Sequence, residues 1–172
     1  MPRVESTIEV AVPVDVAFAL SQTYGALRYR WDPFVREQHL LDGATAAAKG
    51  VRTSTTSRHR LKMVSEYVSV RPPTQVGMKM VDGPWFFEQM SGGWSFSAID
   101  IDRCRATWRY TFTVRPPWIR FVADPLGRWL LGRDIRNRLA AFGRACEDPS
   151  ILADLATLRA GADPRATTPP SS

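Results

Sequence analysis

Residues 106–114 read ATWRYTFTV and show the most regular alternation of apolar and polar side chains in the chain. Successive side chains of a β-strand point to opposite faces, so this segment predicts a strand with one buried face. The apolar face is formed by Ala106, Trp108, Tyr110, Phe112 and Val114. Such a row of large side chains needs a second apolar element to cover it, because an amphipathic sheet must bury that face.

The segment before this strand contains further strand candidates, separated by glycines and prolines. STIEVAV at residues 6–12 alternates like a half-buried strand. Two short helices are predicted next: Asp15 can cap the first, and the second, at residues 26–31, ends before Asp32-Pro33 because a residue preceding proline disfavours helical backbone. Five more strands are predicted at residues 34–41, 51–58, 61–70, 75–81 and 85–99, the last with a bulge or bend at Gly92-Gly93.

The pattern changes from strand to helix after Pro116-Pro117. Apolar residues then recur at steps of three and four, at Val122, Leu126 and Trp129 and again at Leu139, Phe142 and Cys146. The main helix is predicted to start with Asp124 as cap and Pro125 as first residue, and to run to about Cys146. A short helix over residues 150–158 and a disordered tail over residues 161–172 follow. Strands with a segregated long helix indicate an α+β fold.

The composition limits the classes of protein to which the chain can belong. Its 172 residues carry a net charge of +6, which suits nucleic acid, an anionic membrane or an acidic ligand. No recognition motif accompanies the charge, so no nucleic-acid partner is predicted. Cys104 and Cys146 form no CxxC pair, and the two histidines lack metal-ligand spacing, so no metal, other cofactor or disulfide framework is expected. The chain has no signal-like apolar segment and no run of 18 apolar residues, so it is expected to be cytoplasmic.

Three stretches together resemble one known superfamily. They are IEVAVPVDVAF at residues 8–18, WDPFV at residues 31–35, and DGPW at residues 82–85 followed by WSF at residues 94–96. In this order they resemble the SRPBCC (START-like, helix-grip) superfamily, and within it the polyketide cyclase/dehydrase and coenzyme-Q-binding group. The resemblance covers about residues 5–147. The segment from Pro84 to Trp94 is longer than the family pattern, and the tail after Asp148 has no counterpart in it.

The resemblance implies a helix-grip (START/Bet v 1-like) fold with a ligand-binding role. In this fold a curved antiparallel sheet of six or seven strands wraps a long C-terminal helix, with two short helices after the first strand. Residues 1–148 would form the single ligand-binding domain, and residues 149–172 the short helix and tail. Members bind lipids, quinones, hormones or polyketides in an apolar cavity, and a minority act on them. The chain is therefore expected to bind or transport a hydrophobic small molecule; a polyketide cyclase or aromatase and a partner-binding module remain alternatives.

The alternation nominates the residues that would line such a cavity. Aromatic and methionine side chains suit planar or polyprenyl ligands, because rings stack and methionine adapts its shape. The predicted lining consists of Met78, Met80, Trp94, Phe96, Trp108, Tyr110 and Phe112 from the sheet and Leu139 and Phe142 from the helix. The alternative is a packed core without room for a ligand.

Polar residues near this apolar face are candidates for acid–base chemistry. Tyr110 would place a hydroxyl on it, and Glu88 shares strand parity with Trp94 provided that the glycines do not shift the register. The alternative for Tyr110 is a core tyrosine hydrogen-bonded to the backbone, and the alternative for Glu88 is a solvated carboxylate on the strand. His39 is a weaker candidate base, and Arg30 could hold an anionic headgroup at the cavity mouth.

The last long helix also carries arginines beside apolar side chains. An apolar patch edged with arginine suits docking on anionic lipid, whereas the alternative is a core helix with a solvated outer face. The apolar members are Trp118, Ile119, Phe121, Val122, Trp129, Leu130 and Leu131, and the basic ones are Arg115, Arg120, Arg128, Arg133, Arg136 and Arg138. The sequence therefore predicts a possible peripheral membrane contact and leaves the oligomeric state open.

Overall fold

The structure, a computed structural model, describes residues 2–115, 118 and 120–162. Within these residues it contains seven strands and four helices, in the order that the sequence predicts. The strands are β1 (Arg3–Val10), β2 (Val35–Leu40), β3 (Arg52–Ser57), β4 (Lys62–Arg71), β5 (Gln75–Asp82), β6 (Phe87–Ala98) and β7 (Cys104–Val114). The helices are α1 (Val14–Ser21) and α2 (Gly25–Trp31) between β1 and β2, then α3 (Arg120–Glu147) and α4 (Pro149–Ala162) after β7.

All seven strands form one antiparallel sheet in the order β1-β7-β6-β5-β4-β3-β2. Each strand from β2 to β6 pairs with the next along the chain, and β1 pairs with β7 at the end of the order. Helix α3 lies across the inner face and packs on β1 and β7. The predicted helix-grip fold is confirmed: the alternating face of β7 lies inward, with Ala106, Tyr110 and Phe112 buried beneath the helices.

The irregularity predicted in β6 lies five residues before the expected site. Gly92 and Gly93 keep a regular register, opposite Tyr110 and Arg109 of β7, whereas the register shifts between Phe87 and Gln89. A bulge adds one residue to a strand and so changes the face on which preceding side chains lie. The parity argument for Glu88 was therefore wrong: its side chain is exposed, and the ring of Phe87 lies 6.1 Å from that of Phe112 instead.

The two glycines serve close packing rather than a bend. A Cβ on Gly92 would lie 2.6 Å from the ring of Tyr110, and one on Gly93 would lie 2.2 Å from the carbonyl oxygen of Val76. Both separations are far shorter than van der Waals contact, so neither position has room for a side chain. Gly92 thereby allows the ring of Tyr110 to lie flat over β6.

The C-terminal helices differ from prediction at their boundaries. Helix α3 begins at Arg120 and contains Pro125 in its second turn, so Asp124 does not start it. This position lies beyond the first turn, so the missing N–H of Pro125 costs the helix the hydrogen bond to the carbonyl of residue 121. Helix α4 extends to Ala162, four residues beyond the predicted end. At its start, Asp148 accepts the N–H groups of Ser150 and Ile151 and so caps it. Of the predicted tail, residues 163–172 lie outside the described residues.

The described helices include none with the length and apolar character needed to cross a bilayer.

Candidate functional site

A cavity of about 80 Å³ lies between the inner face of the sheet and the helices. Part of its wall consists of four methionines from β4, β5 and β6, namely Met63, Met78, Met80 and Met90. Aromatic rings and short polar side chains form much of the rest, including Ser65 of β4 and Thr55 of β3, which are both buried. The apolar and polar groups therefore line the same partly open space.

The structure separates the nine predicted lining residues into two groups. Met78, Met80, Trp94, Trp108 and Tyr110 line the cavity. The other four, Phe96, Phe112, Leu139 and Phe142, lie in the packed core and are not part of the cavity wall. The difference arises because α3 rests directly on β1 and β7, so the side chains that face each other there fill the space between helix and sheet.

Ring contacts show how tightly this part of the core is filled. The ring of Phe142 lies 5.4 Å from Trp31 and 4.9 Å from Trp94, and Trp94 stacks on Phe96 at 5.5 Å. These are ordinary distances between packed aromatic side chains. Trp94 therefore has two environments, the packed core on one side and the cavity on the other.

The polar centre of the site is an ion cluster that the sequence analysis did not predict. Arg138 of α3 donates from Nε to Asp32 Oδ1 at 3.1 Å and from Nη2 to Asp32 Oδ2 at 2.8 Å. Arg28 of α2 places Nη2 2.8 Å from the same Oδ2. All three residues are buried, and the side chain of Asp32 has no exposed surface. Two guanidinium groups thus share one buried carboxylate.

Local sequence explains how the cluster forms. Asp32 follows the last residue of α2 and lies four residues after Arg28. Residues at this spacing lie on the same face of a helix, so the two side chains meet. Arg138 follows Ile135 by three residues and precedes Phe142 by four, which places it on the buried stripe of α3. That position within an apolar stripe was the available signal: an arginine there needs a buried acidic partner, and the aspartate of the WDPFV motif supplies it.

The cluster holds its carboxylate ionised. Burial by itself would raise the pKa of Asp32, but the adjacent Arg138 and Arg28 outweigh burial and lower the pKa to about 2. The guanidinium of Arg138 also lies over two rings, 4.3 Å from the centre of Trp108 and 4.7 Å from that of Phe34. Ion pairing and ring contacts together fix this guanidinium against the cavity.

Tyr110 connects the cluster to the cavity. Its hydroxyl oxygen accepts a hydrogen bond from Arg138 Nη1 at 2.6 Å, and its own proton stays available to a ligand acceptor. Burial raises the pKa of Tyr110 to about 12 although Arg138 opposes this shift, so the phenol is neutral at pH 7. Tyr110 can therefore donate a hydrogen bond in the cavity but does not act there as an anion.

A hydrogen-bonded pair of tyrosines also lies in the cavity wall. The hydroxyl groups of Tyr24, just before α2, and Tyr67 of β4 are hydrogen-bonded to each other, and both residues line the cavity. Burial raises the pKa of both phenols. This contact joins the short helices to the far half of the sheet and narrows the space between them.

The remaining acid–base candidates lie away from the cavity wall. Glu88 is exposed on the bulged start of β6. His39 is exposed on β2, with Nδ1 3.7 Å from Glu37 Oε1. Arg30 is not at the cavity mouth: its guanidinium donates to Asp154 and, at 2.8 Å, to Ser150 Oγ, both of α4. The structure thus gives Arg30 a role in holding α4.

Among the described residues, the arginine-edged patch predicted on α3 lacks one of its members, Arg138. Trp118, Leu126, Trp129 and Leu130 are exposed, and Arg133 lies over the ring of Trp129 at 6.0 Å. Arg138, which was grouped with this patch, is instead buried and paired with Asp32, because it lies on the opposite side of the helix. Ile119 and the side chains of Arg120, Phe121 and Val122 lie outside the described residues.

Known solved structures share this fold. The chain superposes on XoxI from Bacillus cereus with a TM-score of 0.69 and 14% identity, covering 87% of this chain and 99% of that one. A START superfamily protein from Mycobacterium smegmatis gives a TM-score of 0.70 and 15% identity over 86% of this chain and 98% of that one. At such identities the likeness concerns the fold alone.

Two-domain proteins of this fold also match. The di-domain ARO/CYC StfQ from the steffimycin biosynthetic pathway gives a TM-score of 0.62 and 18% identity over 93% of this chain and 52% of StfQ, so this chain corresponds to about half of that protein. No curated protein matches the chain by sequence.

A family profile matches residues 1–147, which contain every element from β1 to α3 as well as the Arg28–Asp32–Arg138 cluster. This match confirms the resemblance predicted from three short stretches of sequence. By that match and by its START-like fold, the chain belongs to the family described as polyketide cyclase / dehydrase and lipid transport.

Proposed function

We propose that the chain binds a small, largely apolar molecule in the cavity between its sheet and α3. The observation that carries the proposal is a cavity walled by methionines and aromatic rings in a part of the inner face that α3 does not fill. Such side chains provide apolar contact without demanding one ligand shape. Membership of a family whose description includes lipid transport supports the same conclusion.

The size of the cavity indicates how a ligand would enter. Its volume of about 80 Å³ is well below the about 150 Å³ of a cavity known to bind benzene. A ligand therefore has to widen the space as it binds. The four methionines are the groups best able to move, because each has three rotatable side-chain bonds, and the Tyr24–Tyr67 hydrogen bond is the contact that would open.

A cavity-filling variant tests the proposal. Ser65 is buried on β4 and lines the cavity, so Ser65→Leu would occupy the space, whereas Ser97→Leu makes the same change at an exposed position on β6. The probe is the neutral dye N-phenyl-1-naphthylamine, followed by its fluorescence. Wild type and Ser97→Leu are expected to bind it, and Ser65→Leu to lose most of the binding. Equal binding by a folded Ser65→Leu variant would rule out this cavity as the site.

A side chain already in the wall gives a second test. Trp108 lines the cavity and contacts Trp94 at 4.3 Å, so Trp108→Ala should abolish retention of a bound ligand. Native mass spectrometry of freshly purified protein, with organic extraction, would detect that ligand in wild type. Retention unchanged in a folded Trp108→Ala variant would show that this ring is not a ligand contact.

A polyketide cyclase or aromatase is the second candidate, and Tyr110 is the observation that favours it. In an aldol ring closure an enolate carbon bonds to a carbonyl carbon, and the carbonyl oxygen takes up a proton. The hydroxyl of Tyr110, oriented by Arg138, could stabilise and protonate that oxygen. A base is harder to assign, since the described residues that line the cavity include no aspartate, glutamate or histidine. Binding is therefore the better-supported function.

Tyr110→Phe separates the two candidates. A carrier should bind N-phenyl-1-naphthylamine about as well after this change, because the dye makes no use of the hydroxyl. A cyclase should convert a synthetic poly-β-ketone thioester to cyclic product in wild type and lose that conversion in Tyr110→Phe. A filled interior would favour the partner-binding alternative, so the cavity supports binding of a small molecule instead.

Uptake of the ligand from a bilayer would use the exposed face of α3. Trp129 and Leu130 are exposed there, with the basic side chains of Arg128, Arg133 and Arg136 around them. Basic groups contribute roughly 1 kcal/mol each near an anionic lipid surface. Binding to vesicles that contain phosphatidylserine, compared with phosphatidylcholine alone, would test this contact.

A further inference from the structure

The charges that face the cavity are all of one sign. Among the described residues of its wall, Arg28, Lys79 and Arg138 are basic and none is acidic. Asp32 is paired with both arginines but is not part of the wall, so it lies behind the guanidinium groups as seen from the cavity. A ligand in the cavity therefore meets cations without meeting their counter-ion.

Asp32 neutralises only one of the two buried guanidinium charges. A second carboxylate, Asp134, has Oδ2 4.0 Å from Arg138 Nη1, but it is partly exposed and does not line the cavity. Its separation from Arg138 is longer than a direct hydrogen bond, so Asp134 balances that charge less closely than Asp32 does. Lys79 is exposed and already pairs with Glu66 at 3.2 Å. The surplus positive charge thus resides on Arg28 and Arg138, in an environment where an unpaired charge is costly.

Two buried N–H donors of residues that line the cavity also have no hydrogen-bond partner among the described residues. Arg28 donates from Nη1 to the carbonyl of Ser21 at 2.7 Å and places Nη2 against Asp32, but its buried Nε has no partner among the described residues. The buried indole Nε1 of Trp108 likewise has none. Leaving a buried donor without an acceptor is unfavourable, but both atoms expose almost no surface, so a ligand oxygen reaches them only when these side chains move.

We propose that the ligand is an organic anion: a compact apolar body carrying a planar, delocalised oxyanion, a carboxylate or an enolate, that is held by Arg28 and Arg138. Each Nη atom of the two guanidinium groups carries a second N–H besides the one directed at Asp32, Ser21 or Tyr110, and these second N–H groups can bind a delocalised oxyanion. The ring contacts of Arg138 keep its guanidinium in place. Tyr110 adds a neutral donor beside it. The methionine part of the wall would receive the apolar body. This inference rests on the proposed binding function.

A pair of probes that differ only in charge tests the inference. 1-Naphthoate and 1-naphthamide have the same rings, and the amide lacks the charge, so calorimetric titration of wild type compares them directly. We expect the naphthoate to bind at least about tenfold more tightly, as for a charge-assisted hydrogen bond. Benzoylacetone, titrated above and below its enol pKa, gives the enolate arm: tighter binding of only one of the two anions identifies which oxyanion the site prefers.

Matched variants locate the effect. Arg28→Met and Arg136→Met remove the same charge, one from the cavity wall and one from the exposed face of α3. Arg28→Met is expected to lower naphthoate affinity about tenfold and to leave naphthamide affinity unchanged, and Arg136→Met to change neither. Urea unfolding confirms that each variant is folded. If Arg28→Met does not fold, the comparison of naphthoate with naphthamide in wild type decides alone.

The outcomes separate this inference from the function on which it rests. Preference for naphthoate that depends on Arg28 supports both. Binding of naphthamide as tight as that of naphthoate, or equal loss of naphthoate in both variants, overturns the inference and leaves cavity binding intact. Failure of naphthoate, naphthamide and N-phenyl-1-naphthylamine alike to bind overturns both.

Discussion

Arg136 and Arg138 are two residues apart on α3 and lie in opposite surroundings. Arg136 is exposed, in the same part of the helix as the exposed Arg133 and Trp129. Arg138 is 5% exposed, paired with Asp32 and covered by the rings of Trp108 and Phe34. Two residues along an α-helix amount to a rotation of about 200°, so neighbours in sequence fall on opposite faces.

The contrast teaches that arginine content says little until the helix faces are assigned. On the outer face each charge is solvated, and its pairing contributes little to stability. On the inner face one carboxylate organises two guanidinium groups, and removing it would leave Arg28 unpaired and Arg138 with only the more distant Asp134. The same residue type thus serves solubility or surface contact on one side and site construction on the other.

Removing the carboxylate of Asp32, which both arginines share, should give the largest loss of stability. Asp32→Asn keeps the shape of the side chain but removes the anion between two buried guanidinium groups and leaves only the more distant Asp134 beside Arg138. We therefore expect a loss of about 3–5 kcal/mol in the free energy of unfolding. The control is Glu9→Gln, which removes one partner of the exposed pair between Glu9 and Arg105 at 2.9 Å. That change should cost under about 1 kcal/mol. Urea unfolding measures both, and equal losses would show that the inner cluster has no special weight.

Acid should weaken the inner cluster by a smaller and calculable amount. The pKa of Asp32 is about 2 in the folded protein and 3.8 for the free side chain. The contribution of the ionised carboxylate to stability is therefore complete above pH 3.8 and is lost as the pH falls towards 2. The size of the shift corresponds to about 2 kcal/mol. We expect the difference in unfolding free energy between wild type and Asp32→Asn to shrink by this amount over that interval. A difference independent of pH would mean that Asp32 is not an ionised partner.

Changes on the outer face should have the smallest effect on stability. Trp129→Ser and Arg136→Met alter exposed side chains, so each is expected to change the free energy of unfolding by less than about 0.5 kcal/mol. Their effect should appear instead as weaker sedimentation with vesicles that contain phosphatidylserine. A large loss of stability in either variant would place this face inside a contact that the structure does not contain.

The fold followed from the sequence because its signals are local. The alternation in β7, the glycine and proline breaks between strands, and the helical period after Pro117 each act within a few residues. The features that the sequence analysis misplaced depend on contacts between residues that are distant in the sequence. The bulge that exposes Glu88 is defined by the pairing of β6 with Thr113 and Val114 of β7, and no residue of β6 marks it by itself.

The site was predicted only in part for the same reason. Alternation places Trp94 and Phe96 on the same face, but whether each meets a cavity or a packed core depends on where α3 rests. Arg138 carried a readable signal in its position on the apolar stripe, yet its partner lies 106 positions earlier in the chain. A contact of that separation has no periodicity, so pattern alone could not pair it with Asp32.

Helix α4 has a consequence for how this cavity could be tuned. It lies beyond residue 147, where the family profile ends, and the domain boundary predicted at residue 148 stays a prediction. Nevertheless it buries Ile151 and Leu155 and reaches back through two ion pairs, Asp154 with Arg30 of α2 and Arg159 with Asp15 of α1. Because α2 also carries Arg28, α4 holds in place the helix that contributes one of the two buried arginines. Changes in α4 are therefore expected to shift Arg28 through α2, although no residue of α4 lines the cavity.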